Sequence, residues 1–407
     1  MMVQIFKTKY SILIIIILSL LVSACAQRIK HTPLTPEQYN AIEFSDPGGS
    51  DRWWGDTAPP KLEESLKKSA VILKQQFPRA AISHHENTSN PPKYESLIIS
   101  GGGADGAFGA GILVGWTKSG KRPQFELVTG TSTGAIIAPF AFLGEKYDDI
   151  LYDIYAKLTR EKVYESRLLN GMLGGSAIAD TSSLRAQLEK HITISLIKEI
   201  AAEHRKARSL FVVTTHFDSM RPMIWNIGSI AEKENNEAVL LIRKIILASA
   251  SIPVLFPPVK FEREIDGKIY TELHVDGGVT RNAFSYPAKI TMPNIERIQG
   301  LHFERNVYVI QNSNSKLSYE PAPTDLAGIA SRTTLGLLQN KINSDIEKIY
   351  YLSKRDGTYF NMIEIPDYFK ADKAIEFDSV YINELLKVGL EMGQTGTFWH
   401  SLPPSER

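Results

Sequence analysis

Apolar residues in the middle of the chain fall into short runs separated by longer stretches of helical spacing. Runs rich in β-branched residues and bounded by turn formers predict strands over Ser96–Ser100, Phe125–Thr129, Ser209–Thr215, Ile269–Asp276 and Asn306–Asn312. Between them, apolar positions three and four apart predict helices over Ala104–Lys118, Thr133–Leu143, Thr181–His191 and Glu237–Ser249. Asp180-Thr181 supplies an N-cap for the third of these. Strands alternating with helices predict an α/β fold, a doubly wound and mostly parallel sheet with helices on both faces. Leu326, Ile329, Leu337, Ile342, Ile346 and Ile349, and later Ile382, Leu385, Leu386 and Leu390, predict extra C-terminal helices covering that sheet. Ahead of it, Leu62, Leu66, Ala70, Leu73 and Phe77 mark one helix face, which Pro78 ends.

Open α/β sheets place their sites at the carboxyl ends of strands, so the residues that end the predicted strands matter most. The second strand ends on Gly130-Thr131-Ser132-Thr133-Gly134 and leads straight into a helix. Strand, sharp turn with Ser at its apex, then helix is the setting of a nucleophile elbow. Gly130 and Gly134 let strand and helix pass without Cβ clashes, and the helix N-terminus favours developing negative charge. Taken alone, a Gly-x-Ser-x-Gly pentapeptide also fits an ordinary loop.

The first strand ends on Ser100-Gly101-Gly102-Gly103-Ala104-Asp105-Gly106. Three glycines between strand and helix expose backbone N–H groups around an anion-sized hollow. The spacing also fits a dinucleotide-binding turn, which needs an acidic residue at the end of the next strand. That strand end carries the serine elbow instead, so Gly101, Gly102 and Gly103, with the Thr133 N–H, read as an oxyanion hole. The fourth strand ends on Asp276-Gly277-Gly278, which in isolation is an ordinary turn.

With these three motifs in this order, the chain resembles the patatin-like phospholipase family. The match rests on Gly101–Gly106, Gly130–Gly134 and Asp276-Gly277-Gly278. It is supported by Ala248-Ser249-Ala250-Ser251-Ile252-Pro253 and Phe256-Pro257-Pro258, where the family carries a similar proline-rich stretch. The resemblance covers Tyr94 to Asn312. It implies a Ser132–Asp276 dyad that hydrolyses acyl esters of lipids, with no metal, no cofactor and no catalytic histidine. One departure stands out. The family usually has Arg or Lys where this chain has Asp105, so the charge offered to an anionic substrate differs.

A free Asp is a poor base near neutrality, and desolvation beside apolar walls would raise its pKa. The competing arrangement is a triad with a histidine base after the Asp. His302 and His400 are placed for that role, but neither lies in a distinctive motif. His274 shares a strand face with Asp276, where it either tunes the carboxyl or serves structure.

The N-terminus adds a location. Lys7 and Lys9 precede an apolar or small run from Ser11 to Val22, then Ser23-Ala24-Cys25. This is the layout of a secretory signal, too short for a comfortable transmembrane helix. Val22-Ser23-Ala24-Cys25 resembles a bacterial lipobox, whose cysteine is acylated; the alternative is an ordinary signal peptide with a chance cysteine. Cys25 is the only cysteine in the chain, which excludes an intrachain disulfide. Two acyl chains suffice for stable anchoring. The expectation is a lipid-anchored protein of the bacterial cell envelope, with the non-acidic Ala26 resembling lipoproteins sorted to the outer membrane.

The domain organisation that follows is a signal peptide over 1–24, a lipid-anchored tether with one helix over 25–93, a catalytic domain over 94–315 and a C-terminal helical extension over 316–407. Within the tether, Trp53-Trp54 marks either a membrane contact or packing on the domain. His84-His85 lacks a second ligand pair for a metal. The 407 residues are 43% hydrophobic, ample for a large core, and a net charge of +1 gives no bulk attraction for nucleic acid. Three function classes fit: a membrane-tethered lipid acyl hydrolase, an acyltransferase on the same dyad, and a non-catalytic envelope scaffold.

Overall fold

A computed structural model of the protein describes residues 31–39, 51–82, 90–159, 165–166, 179–265, 267–316, 319, 321–370, 378–396 and 399–407. Cys25, the signal-like segment and His84-His85 lie outside these residues. The strands of the main sheet are, in chain order, β1 (Arg52–Trp54), β2 (Lys93–Ile99), β3 (Leu127–Thr131), β4 (Ser209–His216), β5 (Arg221–Asn226), β6 (Val259–Ile265), β7 (Lys268–Asp276), β8 (Glu304–Gln311) and β9 (Tyr359–Glu364). They lie in the order β1-β5-β4-β3-β2-β8-β9, with β7 added to β4 and β6 to β7. From β4 through β9 every pairing along this order is parallel. β1, β5, β6 and β7 pair antiparallel. The helices are α1 (Leu62–Gln76), α2 (Gly106–Lys118), α3 (Thr133–Leu143), α4 (Asp148–Ala156), α5 (Ser182–His191), α6 (Ile194–His204), α7 (Ile227–Ala231), α8 (Asn236–Ser249), α9 (Met292–Gln299), α10 (Leu326–Arg355) and α11 (Ser379–Thr395).

The continuous apolar run of β2 is explained by burial on both sheet faces. Leu97 and Ile99 join a cluster with Phe108 and Ile112 of α2, whereas Ile98 joins Val309, Ile342 and Ile346 on the other face. This is the expected doubly wound α/β layout. One local expectation fails: Thr181 precedes α5, but with φ −101° and ψ 11° its side chain makes no capping bond.

Both flanking segments contribute to the sheet. In the stretch expected as a tether, Trp53 faces Ile224 across the β1–β5 pairing and packs with Val213 and Phe284. Trp54 lies edge-on to His216, beneath the Arg221 guanidinium at 4.4 Å. In the stretch expected as helices, β9 pairs in parallel with β8. β1 is too short to show a period, and in β9 the alternation of Tyr359–Met362 breaks at Ile363, which is buried beside Met362.

The last helix, α11, is pressed against α2. Gly111 and Gly115 of α2 face Gly389 and Gly393 of α11. A Cβ on Gly111 would stand 2.3 Å from the Leu386 carbonyl oxygen, and one on Gly389 would stand 2.4 Å from that of Phe108. Only glycine permits this backbone-to-backbone approach.

Candidate active site

The strand pairing of β4 brings the two site segments together. β3 ends at Thr131, opposite Val213, and the chain turns away at Ser132. The next residue of β4, Thr214, pairs with Asp276 at the end of β7. Neighbouring positions on one strand thus hold the ends of two others, although Ser132 and Asp276 are far apart in the chain.

Ser132 occupies φ 56° and ψ −124°, a conformation unusual for a side-chain-bearing residue and characteristic of a strained elbow. The turn is tight enough that a Cβ on Gly130 would lie 2.3 Å from the Gly134 oxygen, and one on Gly134 would lie 2.3 Å from the Ile99 oxygen. Both motif glycines are therefore required by space. The Ser132 hydroxyl donates to Asp276 Oδ2 at 2.7 Å. The other oxygen, Oδ1, accepts the Gly278 N–H at 2.7 Å, so Gly277-Gly278 folds the chain back onto its own carboxylate. Burial pushes the Asp276 carboxyl up to about 7, against the downward pull of the Ser132 and Gly278 hydrogen bonds. A carboxyl so poised can accept a proton near neutrality.

The glycine loop lies beside this pair. Gly103 has φ 58°, a left-handed conformation that favours glycine, and lines a cavity together with Ser132 and Thr133. The Thr133 N–H stands in the first turn of α3, beyond the reach of any intrahelical carbonyl. Gly102 backs onto Asn312, and Gly106 begins α2 against the Thr133 hydroxyl and Tyr155. Gly101 departs from expectation. Its N–H donates to Asn282 Oδ1 at 2.7 Å and so fastens the loop to the segment after Asp276, although the residue itself lies against Ser132, where an added Cβ would stand 3.0 Å from the Ser132 Cβ. Asn282 is itself held by Asp345, which accepts its backbone N–H at 2.7 Å.

From Ser132 the cavity, about 70 Å³, runs between α3, α4 and α5. Its walls are largely apolar, with Ile136, Phe140, Ile154, Leu188 and Phe256 among them. Asp105 is directed elsewhere: its carboxylate accepts the Tyr381 hydroxyl of α11 at 3.0 Å.

Neither histidine placed for a triad reaches the pair. His302 is exposed and bonded to Glu296 at 3.0 Å, at the amino end of β8 and the opposite end of the parallel sheet from Ser132. His400 pairs through its backbone with Met362 on the edge strand β9. His274 is fully buried, and its Nδ1 meets the Thr214 hydroxyl at 2.9 Å, not Asp276. With His216 and Glu272 it forms the one group of possible metal ligands found among the described residues. Arg52 grips Glu272 at 2.6 and 3.2 Å, and Arg263 adds a third bond at 3.2 Å. Two guanidinium charges thus occupy the carboxylate that a cation would need.

Two contributors carry no motif of their own. Asn282 lies six residues past Asp276 in a loop without pattern, and Ser249, whose hydroxyl accepts the Ser132 backbone N–H at 2.9 Å, sits inside the proline-rich stretch. Only their place near Asp276 and within Ala248–Pro253 hints at them.

Residues 97–291 match a family model described as Patatin-like phospholipase. This span, just under half of the chain, contains the glycine loop, Ser132 and Asp276. Among solved structures, the crystal structure of VipD from Legionella pneumophila is similar at 13% identity and a TM-score of 0.31, over 75% of this chain and 66% of that one. No curated protein matches the chain.

Proposed function

Since the chain belongs, through residues 97–291, to the patatin-like phospholipase family, we propose that it is a membrane-anchored serine hydrolase of lipid acyl esters working through a Ser132–Asp276 dyad. The observation that carries this reading is the 2.7 Å hydrogen bond from Ser132 Oγ to a buried carboxyl raised to about 7. Ser132 Oγ attacks the ester carbonyl carbon as Asp276 Oδ2 takes its proton. The oxyanion is met by the N–H groups of Thr133, Gly102 and Gly103. One such donor is worth about 2.7–4 kcal/mol in this role. When the ester C–O bond breaks, Asp276 returns the proton to the leaving alcohol. Water then repeats the sequence on the acyl-enzyme and frees the acid. The apolar cavity receives the acyl chain.

The anchor is the second half of the reading. Among the described residues no helix is long and apolar enough to cross a membrane. Acylation at Cys25 would hold the protein at the bacterial cell envelope, on the outer membrane in cells that have one. The test is hydrolysis of a short p-nitrophenyl ester and of phospholipid vesicles by the purified protein and by Ser132→Ala. Turnover lost in the variant supports the reading, and turnover equal to that of the native protein refutes it.

A further inference from the structure

The stretch Ala248–Pro253 carries no part of the chemistry above, yet it touches both members of the dyad. It runs from the last turn of α8 into the loop under the site. Ser249 and Ser251 are fully buried. The Ser249 hydroxyl donates to the Val213 carbonyl at 2.6 Å, which turns a lone pair toward the Ser132 backbone N–H, 2.9 Å away. Two residues on, the Ser251 carbonyl accepts the Asp276 N–H at 2.9 Å. One short segment therefore holds the backbone of the serine through a side chain and the backbone of the aspartate through a carbonyl.

The elbow needs such a partner. Ser132 has left the ladder of β3, and in its left-handed conformation its N–H meets no strand. An N–H buried without an acceptor is costly, and the turn would shift to satisfy it. We infer that Ser249 is a positioning residue: its hydroxyl ties the Ser132 elbow to Val213 of β4 and so sets the distance between the Ser132 hydroxyl and Asp276. The inference rests on the reading of Ser132 as nucleophile and Asp276 as base. It also removes the Ser132 N–H from the oxyanion donors and leaves that role to its neighbour, Thr133.

The test is the rate of labelling by a p-nitrophenyl alkylphosphonate. Ser132 Oγ bonds to phosphorus, p-nitrophenolate leaves and Asp276 takes the serine proton, so one chemical event is read. Ser249→Ala should slow labelling on the order of 10–100-fold, the scale of a misplaced reacting group, with KM for a short ester unchanged. Its pH midpoint should move upward, because a looser Ser132 contact weakens a bond that lowers the Asp276 pKa. Ser249→Cys keeps the shape with a weaker acceptor and should fall between; it decides the matter if Ser249→Ala does not fold. Ser353→Ala removes another buried hydroxyl, one bonded to the Ile349 carbonyl in α10, and should label at the native rate. Native-rate labelling of the Ser249 variants, or equal slowing in Ser353→Ala, would overturn the inference. A native protein that is not labelled at Ser132 would instead remove the hydrolase reading, and this inference with it.

Discussion

Replacing Asp276 by Asn separates two demands on one side chain. The carboxyl is 1% exposed, and burial moves it from its ordinary 3.8 up to about 7. That rise corresponds to about 4 kcal/mol between the protonated and charged forms. Its sign follows from proton binding. Between the two pKa values the folded chain holds a proton that the unfolded chain has released, so stability falls as pH rises. The contribution is fully present below the unfolded value and lost as pH passes through the folded one. Asn has no proton to lose and no charge to bury. The stability of Asp276→Asn relative to the native protein should therefore climb by up to ~4 kcal/mol between about pH 4 and pH 7, then level off. Activity should run the other way. The amide keeps the shape but cannot take the serine proton, a loss of about 10²–10⁴ in kcat. Urea unfolding followed by tryptophan fluorescence, on both proteins across this pH range, measures the first effect. A stability difference equal at about pH 5 and about pH 8 would refute a burial-raised carboxyl. So would a native kcat/KM whose acid limb lies near the ordinary 3.8 instead of about 7.

His302→Ala should leave turnover within about twofold, because surface substitutions away from the site change little; a collapse as deep as that of Ser132→Ala would establish a triad. Gly389→Leu should cost about 1–3 kcal/mol or more through overpacking against α2, read as a lowered Tm; an unchanged Tm would contradict the close approach. Cys25→Ser should abolish partition into the detergent phase, and unchanged partition would sink the lipobox reading.

The parallel core was legible because its signals are local. Strands bounded by glycine, helices with regular apolar spacing and three motifs at strand ends all lie within a few residues of the observed elements, as with Ser96–Ser100 against Lys93–Ile99. β1 and β5 were not, since three residues carry no period and Arg221–Asn226 is buried on both sides through most of its length. β6 does alternate, Val259 and Phe261 inward with Lys260 and Glu262 outward, but its charged positions resemble a loop. The side chains that support the site were hidden for a different reason. Ser249 and Asn282 gain meaning from partners supplied by distant segments, and a polar residue in a loop looks the same whether it faces water or a buried N–H. The same blindness made Gly101 look equal to its neighbours.

The glycine contact between α2 and α11 gives the molecule an order in time. A chain made from its N-terminus has its serine elbow and glycine loop long before Gly389 and Gly393 exist. Until they arrive, the face of α2 bearing Gly111 and Gly115 is an open groove. The glycine loop leads directly into α2, and Asp105 at their junction waits for Tyr381 of the same late helix. Contacts so distant in sequence carry a larger loop-closure cost than local ones. The seat of the glycine loop is thus completed by a helix made well after every motif of the site, and a chain cut short before α11 keeps those motifs while lacking the helix that braces them.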